Sequence, residues 1–149
     1  MDRYDIRKDF AWNFDHAPEP VVGDEHSVDG DWTYCGQSVD SPLGIGAGPL
    51  LNGRWLLYYA SLGFDILTYK TVRTRERASY GLPNLQPIAW PHEVALPEEV
   101  VTTVAMEGNW AISFGMPSKP PRFWQDDVSA ARERLAKGKF LSVSVVATP

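Results

Sequence analysis

Two strand ends in this chain carry residues that could do chemistry together. The first is Ser41-Pro-Leu-Gly-Ile-Gly-Ala-Gly-Pro49 and the second is Asp65-Ile-Leu-Thr-Tyr-Lys-Thr-Val72. Gly44, Gly46, Ala47 and Gly48 have almost no side chain, so a ligand ring can approach their backbone and bond to its amides. Lys70 follows four largely apolar positions and is read as ending its strand, with the Thr71 hydroxyl beside it. A flat anionic cofactor can rest on the first turn while the lysine stands next to it. Each feature also has a plainer reading: a tight βα turn without a ligand, and a solvent-facing lysine just past a strand. The glycines match neither a GxGxxG fingerprint nor a phosphate-binding loop with its lysine.

A third segment, Ser113-Phe-Gly-Met-Pro-Ser118, is a turn centred on Gly115. Its amides could line a small polar substrate, with Phe114 and Met116 as walls; as a packed connector, it would start the next helix at Ser118. Arg73, Arg75 and Arg77 alternate, so an extended chain points them to one side. They are read as a solvated face, the alternative being a landing place for an acidic partner. His16, His26 and His92 lack the spacing of a metal site and Cys35 lacks a thiol partner, so no metal is expected. Neither a nucleophile elbow nor a nearby acid–base pair marks a hydrolase.

These residues need elements to position them. Residues 43–46 begin a first core strand. Asn52 is placed to cap a helix running to about Leu62, whose apolar face is Trp55, Leu56, Tyr59 and Leu62. Residues 65–69 form the next strand, and the unit spans about 30 residues, the length of a right-handed βαβ crossover. Residues 72–110 are irregular and proline-rich, with a short strand at 86–90. A helix over 123–136 turns Val128, Ala131 and Leu135 inward, and residues 140–146 make a third core strand. Ahead of these, residues 32–40 read as a hairpin turning at Gly36, a cover for a barrel floor. Residues 1–31 read as a surface-lying N-terminal extension, ordered where Trp12 and Phe14 find a groove. Strands alternating with helices indicate an α/β fold.

The composition narrows the function classes. The 149 residues hold 14 Lys+Arg against 19 Asp+Glu, a net charge of -5, which argues against nonspecific binding to nucleic acid or anionic membranes. A single cysteine points to a reducing, cytoplasmic setting. No apolar run approaches the roughly 20 residues of a transmembrane helix. The last residues complete a buried strand and the sequence stops there, so a fragment is expected.

Taken together, residues 41–49, residues 65–71 with Asn84, and residues 113–118 resemble the dihydroorotate dehydrogenase family of flavin-dependent oxidoreductases, over roughly residues 32–149. The resemblance implies the N-terminal part of a (β/α)8 TIM barrel, about its first three βα units, with FMN at the C-terminal face of the strands. It places Gly46, Ala47 and Gly48 against the flavin through backbone groups, Lys70 on flavin and substrate, and Thr71 on FMN. It places substrate-binding amides at Phe114, Gly115 and Met116. The implied chemistry oxidises a C–C single bond of a dihydropyrimidine: a base takes a proton, hydride passes to the flavin, and an unidentified electron acceptor reoxidises it. No catalytic residue of this chain is implied; the base, further asparagines, a second lysine and the phosphate-holding strands are expected beyond Pro149. The stretch alone is therefore expected to be inactive and to hold FMN weakly. Members of the family often pair as homodimers, though no segment here marks an interface. Ile112 stands where the family commonly carries a pyrimidine-binding Asn, with Asn109 three residues earlier. The alternatives are another FMN-barrel oxidoreductase acting on a different C–C or C=C bond, or a non-catalytic binding module.

Overall fold

The structure is a computed structural model, and it describes residues 4–23, 28–89, 101–104 and 108–147. His26 and His92, named above, lie outside the described residues, as do the end of the expected strand at residue 90 and Pro149.

The chain begins with a short helix, α1 (Phe10–Asp15), which Asp9 caps by accepting from Trp12 N at 2.8 Å. Phe10, Asn13 and Phe14 face inward at helical spacing, while Trp12 is exposed and stacks on His16 with ring centroids 4.0 Å apart. Phe10, rather than Trp12, is therefore the second anchor of the N-terminal segment beside Phe14. The hairpin follows as β1 (Trp32–Tyr34) and β2 (Gln37–Val39), antiparallel. Cys35 and Gly36 both take positive φ, as a two-residue hairpin turn of right-handed twist requires.

The central sheet is β3 (Gly44–Ile45), β4 (Ile66–Arg73) and β8 (Phe140–Val146), in the order β3-β4-β8 and parallel throughout. Between the first two strands runs α2 (Gly53–Ala60), whose cap Asn52 accepts from Trp55 N at 3.1 Å. A second, antiparallel sheet occupies the proline-rich excursion: β5 (Leu85–Ala89) lies between β6 (Val101–Thr102) and β7 (Asn109–Ile112). Then α3 (Pro121–Arg134) starts with proline in its first turn, where a missing N–H costs no helical bond. Ser118 does not start this helix; its hydroxyl accepts from Arg73 N at 3.0 Å and donates to Lys119 O.

One face of the parallel sheet is apolar. Leu67, Tyr69 and Val72 pack with Leu56, Ala60 and Ala131, and Val128 and Leu135 close over them. The other face carries hydroxyls: Ser142 donates to Thr68 at 2.8 Å, and Thr71 and Ser144 lie 3.0 Å apart. At the N-terminal ends of the strands, Tyr34 of the hairpin meets Phe140 edge-on at 5.0 Å. A second apolar cluster joins Phe10 and Phe14 to Leu51, Trp55, Tyr58 and Phe114. The described residues thus form a mixed α/β fold with several sheets and no closed barrel. No helix among them is long and apolar enough to cross a membrane.

Lys139 and Asp65 form a buried ion pair at 2.6 Å where β4 and β8 begin, beside the backbone bond from Phe140 N to Asp65 O. Removing one partner strands the other charge in a poorly solvated place. Asp65→Ala should cost about 3–5 kcal/mol of stability in urea unfolding, and Asp65→Leu with Lys139→Met should recover most of it. Wild-type stability in the single variant would show that this pair does not hold the strand ends.

Candidate active site

The glycine turn contains two kinds of glycine. A Cβ on Gly44 would lie 2.9 Å from Ile66 O and 3.0 Å from Ile66 Cβ, so close pairing with β4 explains that residue. Gly46 and Gly48 have no such reason, because a Cβ at either meets nothing within 4 Å and neither needs a positive φ. Fold and backbone leave open space above both. A ring from outside the chain can lie there against the backbone.

Lys70 is reached through the strand itself. β4 does not stop at Lys70 but continues to Arg73, and its register with β8 shifts between Tyr69 and Val72. Tyr69 and Lys70 are buried on opposite faces, and the shift that follows places Tyr69 and Val72 in one apolar cluster and adjacent Lys70 and Thr71 along one cavity. Tyr69 OH donates to Asp127 Oδ2 at 2.6 Å, and Gly53 N donates to the same oxygen at 2.7 Å. Burial and the neighbouring carboxylate both push the Tyr69 phenol well above its ordinary range. Lys70 N donates to Leu50 O at 3.0 Å, which ties the lysine to the segment just after the glycine turn.

The Lys70 side chain is only 6% exposed, and among the described residues its ammonium has no hydrogen-bond or ion-pair partner. Burial lowers its pKa, and repulsion from the Arg73 guanidinium lowers it further. A desolvated cation next to another cation is an anion site in electrostatic terms. Arg73 is not on a solvated face: it is buried, and its Nε donates to Met116 O at 2.9 Å. Arg75 and Arg77 are exposed.

The turn at residues 113–116 is brought to these strand ends by Asn84. Its Nδ2 donates to Tyr80 O, Gly81 O and Ser113 O, and its backbone carbonyl accepts from Ser113 N at 2.8 Å. The Asn84 Oδ1 is buried with no donor among the described residues. Phe114 is not a wall. Its ring is buried between Tyr4 and Phe10, with centroids 5.5 and 5.7 Å away, and anchors the turn in the core. Gly115 takes φ 72°, and a Cβ there would strike the Tyr80 ring at 2.8 Å. Glycine thus lets Tyr80 lie against the turn.

A cavity of about 430 Å³ gathers these parts, within the usual size of small-molecule sites. From the sheet it is lined by Ala47, Gly48, Lys70 and Thr71, and from the turn by Phe114, Gly115 and Met116. Gly46 is exposed beside it without lining it. Sequence reading missed Arg77 as a lining residue, and Tyr80 altogether. Arg77 donates to Tyr80 OH at 3.3 Å, and the pair also lines a neighbouring cavity of about 350 Å³. No group of His, Cys, Asp or Glu among the described residues could hold a metal ion.

The lowered Lys70 pKa has a sign that can be read in solution. Below its folded pKa, the buried charge opposes folding in full. Between that value and the unfolded 10.5, the unfolded chain binds more protons, so this group makes stability rise with pH. Lys70→Met should raise the melting temperature of the ligand-free protein at pH 7 and flatten its alkaline gain. Thermal melts from pH 7 to pH 10 check this, and a variant less stable than wild type at pH 7 would contradict it.

The chain is 28% identical over 162 residues to the curated dihydroorotate dehydrogenase of Dictyostelium discoideum, an alignment covering 97% of this chain and 44% of that protein. The chain therefore spans less than half the length of that relative. No protein-family model matches the chain, and no solved structure matches it. The similarity bears out the resemblance to the dihydroorotate dehydrogenase family carried by residues 41–49, 65–71 and 113–118.

Proposed function

We propose that this chain supplies flavin- and substrate-contacting parts of an FMN-dependent oxidoreductase resembling dihydroorotate dehydrogenase, which oxidises a CH–CH bond of a dihydropyrimidine. The observation that carries the reading is the cavity itself, where Ala47, Gly48, Lys70 and Thr71 meet Phe114, Gly115 and Met116. These residues fit the cofactor on physical grounds. Open space above Gly46 and Gly48 admits a flat ring, and Lys70 is a cation with no partner among the described residues. FMN, when bound, supplies the hydride-accepting chemistry.

The chain's own residues do the rest by positioning. Gly46, Ala47 and Gly48 let the cofactor ring approach their backbone. The Lys70 ammonium holds an anionic edge of cofactor or substrate more strongly because it is poorly solvated. The Thr71 hydroxyl adds a hydrogen bond beside it, and the amides of Phe114, Gly115 and Met116 orient the substrate. The described cavity lining includes no carboxylate, imidazole or thiol that would take the substrate proton.

Residues 32–149 are read as part of an FMN-binding (β/α)8 barrel and residues 1–31 as its extension. Parallel β3-β4-β8 pairing, helices on one face and hydroxyls on the other support that architecture. A cytoplasmic setting belongs to the same reading and suits the exposed, free Cys35.

Titration of FMN with the full chain, followed by flavin fluorescence, tests the proposal. Weak but saturable binding is expected, with Lys70→Ala weakening it about tenfold, as loss of a charge-assisted bond would. Gly48→Val should weaken it at least as much while leaving the melting temperature within a few degrees, since its Cβ meets no protein atom. Absence of saturable binding, or wild-type affinity in both variants, would overturn the reading.

A further inference from the structure

The loop side of the cavity holds a strained residue and an arginine that answers it. Met116 takes φ 47°, in the left-handed region that favours glycine, directly after Gly115 at φ 72°. Pro117 follows, and a residue ahead of proline is pressed toward extended backbone as well. The surrounding fold therefore has to impose this conformation on Met116. Its side chain is 46% exposed and lines the cavity, so burial in the core does not impose it. Backbone bonds remain, and they lead to Arg73. This residue is buried on β4, three positions past Lys70; its Nε donates to Met116 O at 2.9 Å and its own N–H donates to Ser118 Oγ at 3.0 Å. Ser118 exchanges backbone bonds with Arg77, at 2.9 Å each way. Trp124 Nε1 donates to Arg73 O at 3.2 Å and ties the arginine to α3. Arg73 thus grips both the carbonyl of the strained residue and the segment that leaves it.

We propose that Arg73 is a positioning residue for the ligand site: by holding the Met116 carbonyl, it keeps Gly115 and Met116 in the turn that presents their backbone amides to a ligand whose anionic end meets Lys70. The role of Arg73 rests on the oxidoreductase reading, which assigns this cavity to substrate. The N–H and C=O of Met116 lie on either side of one Cα, so anchoring the carbonyl in the left-handed conformation also fixes where the N–H points. A turn fixed before the ligand arrives removes its ordering cost from binding. Burial, and after it the Arg73 charge, lowers the Lys70 pKa, so the hydrogen bond and the charge have to be separated by substitution.

Gln and Met make that separation. Gln places a donor nitrogen, and Met a methyl carbon, as many bonds from the backbone as the arginine Nε, and neither is charged. In two-dimensional NMR of the ligand-free full chain, Arg73→Gln should leave the Gly115 and Met116 amides near their wild-type positions, while Arg73→Met should displace both. Orotate, a ring carboxylate with an amide edge, is the probe for binding. Its dissociation constant should be about tenfold larger in Arg73→Met than in Arg73→Gln, as loss of one hydrogen bond implies. Adding Met116→Gly to Arg73→Met should recover most of that loss, because glycine takes the left-handed turn unaided, whereas adding Met116→Ala should not. Equal shifts and equal affinities in the Gln and Met variants would overturn the proposal, even if both melt below wild type, because Arg73 would then be structural only. If Arg73→Met does not fold, Arg73→Gln decides alone, and displaced amides at residues 115 and 116 in that folded variant overturn it. Failure of the oxidoreductase reading looks different: the wild-type chain would bind neither FMN nor orotate at millimolar concentration, and the ligand role of Arg73 would fall with it.

Discussion

One carboxylate oxygen holds three elements together. Oδ2 of Asp127, on α3, accepts from the first residue of α2 and from the hydroxyl of Tyr69 on β4. Both bonds lie at a partly buried junction, where an unanswered carboxylate would be costly. Tyr69 is therefore bound to the helical layer, and the next residue is Lys70. Successive strand residues face opposite ways, so β4 sends the tyrosine to the helices and the lysine to the cavity, and the register shift just after Tyr69 brings Val72 back to the helical cluster with it. The catalytic-looking end of the sheet is thus set by a hydrogen bond on its other face.

The same economy appears around the turn at residues 113–116. Its side chains and its backbone are used for different purposes. The Phe114 ring is sunk in the aromatic cluster formed with α1, which leaves the peptide groups of residues 114–116 at the cavity. Asn84 then fixes the turn against the 80–84 loop by donating to Ser113 O and accepting from Ser113 N, while its bonds to Tyr80 O and Gly81 O close the loop on itself. Arg73 fixes the turn against β4. Such a site is held from several elements, which is what positioning a ligand to within a fraction of an ångström requires. The N-terminal segment takes part in this, because Tyr4 and Phe10 make the pocket into which Phe114 is packed.

The sequence announced those parts whose local signals agree with their packing. Asn52 caps α2 as its type and position indicate, β8 covers the apolar run at 140–146, and the hairpin turns at Gly36. The three site segments were legible as small residues, a lysine and a glycine turn, and the cavity brings most of them together. Other features were hidden for physical reasons. The strand carrying Lys70 reads as ending early because charged residues seldom lie in a buried strand, yet here Lys70 and Arg73 are both buried. The helix α1 is too short to show a sustained period, and the prolines of the excursion mask the antiparallel pairing of β5, β6 and β7. Tyr80 carries no motif at all; only the open face of Gly115 reveals it.

The central claim is that the glycine turn, Lys70 and the Gly115 turn face one anion-accepting cavity. Amide shift mapping of the full chain by two-dimensional NMR, with FMN added as the probe, tests it most directly. The expected result is a set of perturbed amides at Ala47, Gly48, Lys70, Gly115 and Met116, with Gly36 and Gly138 unmoved. Perturbations confined to other surfaces, or none at these five positions, would contradict the account.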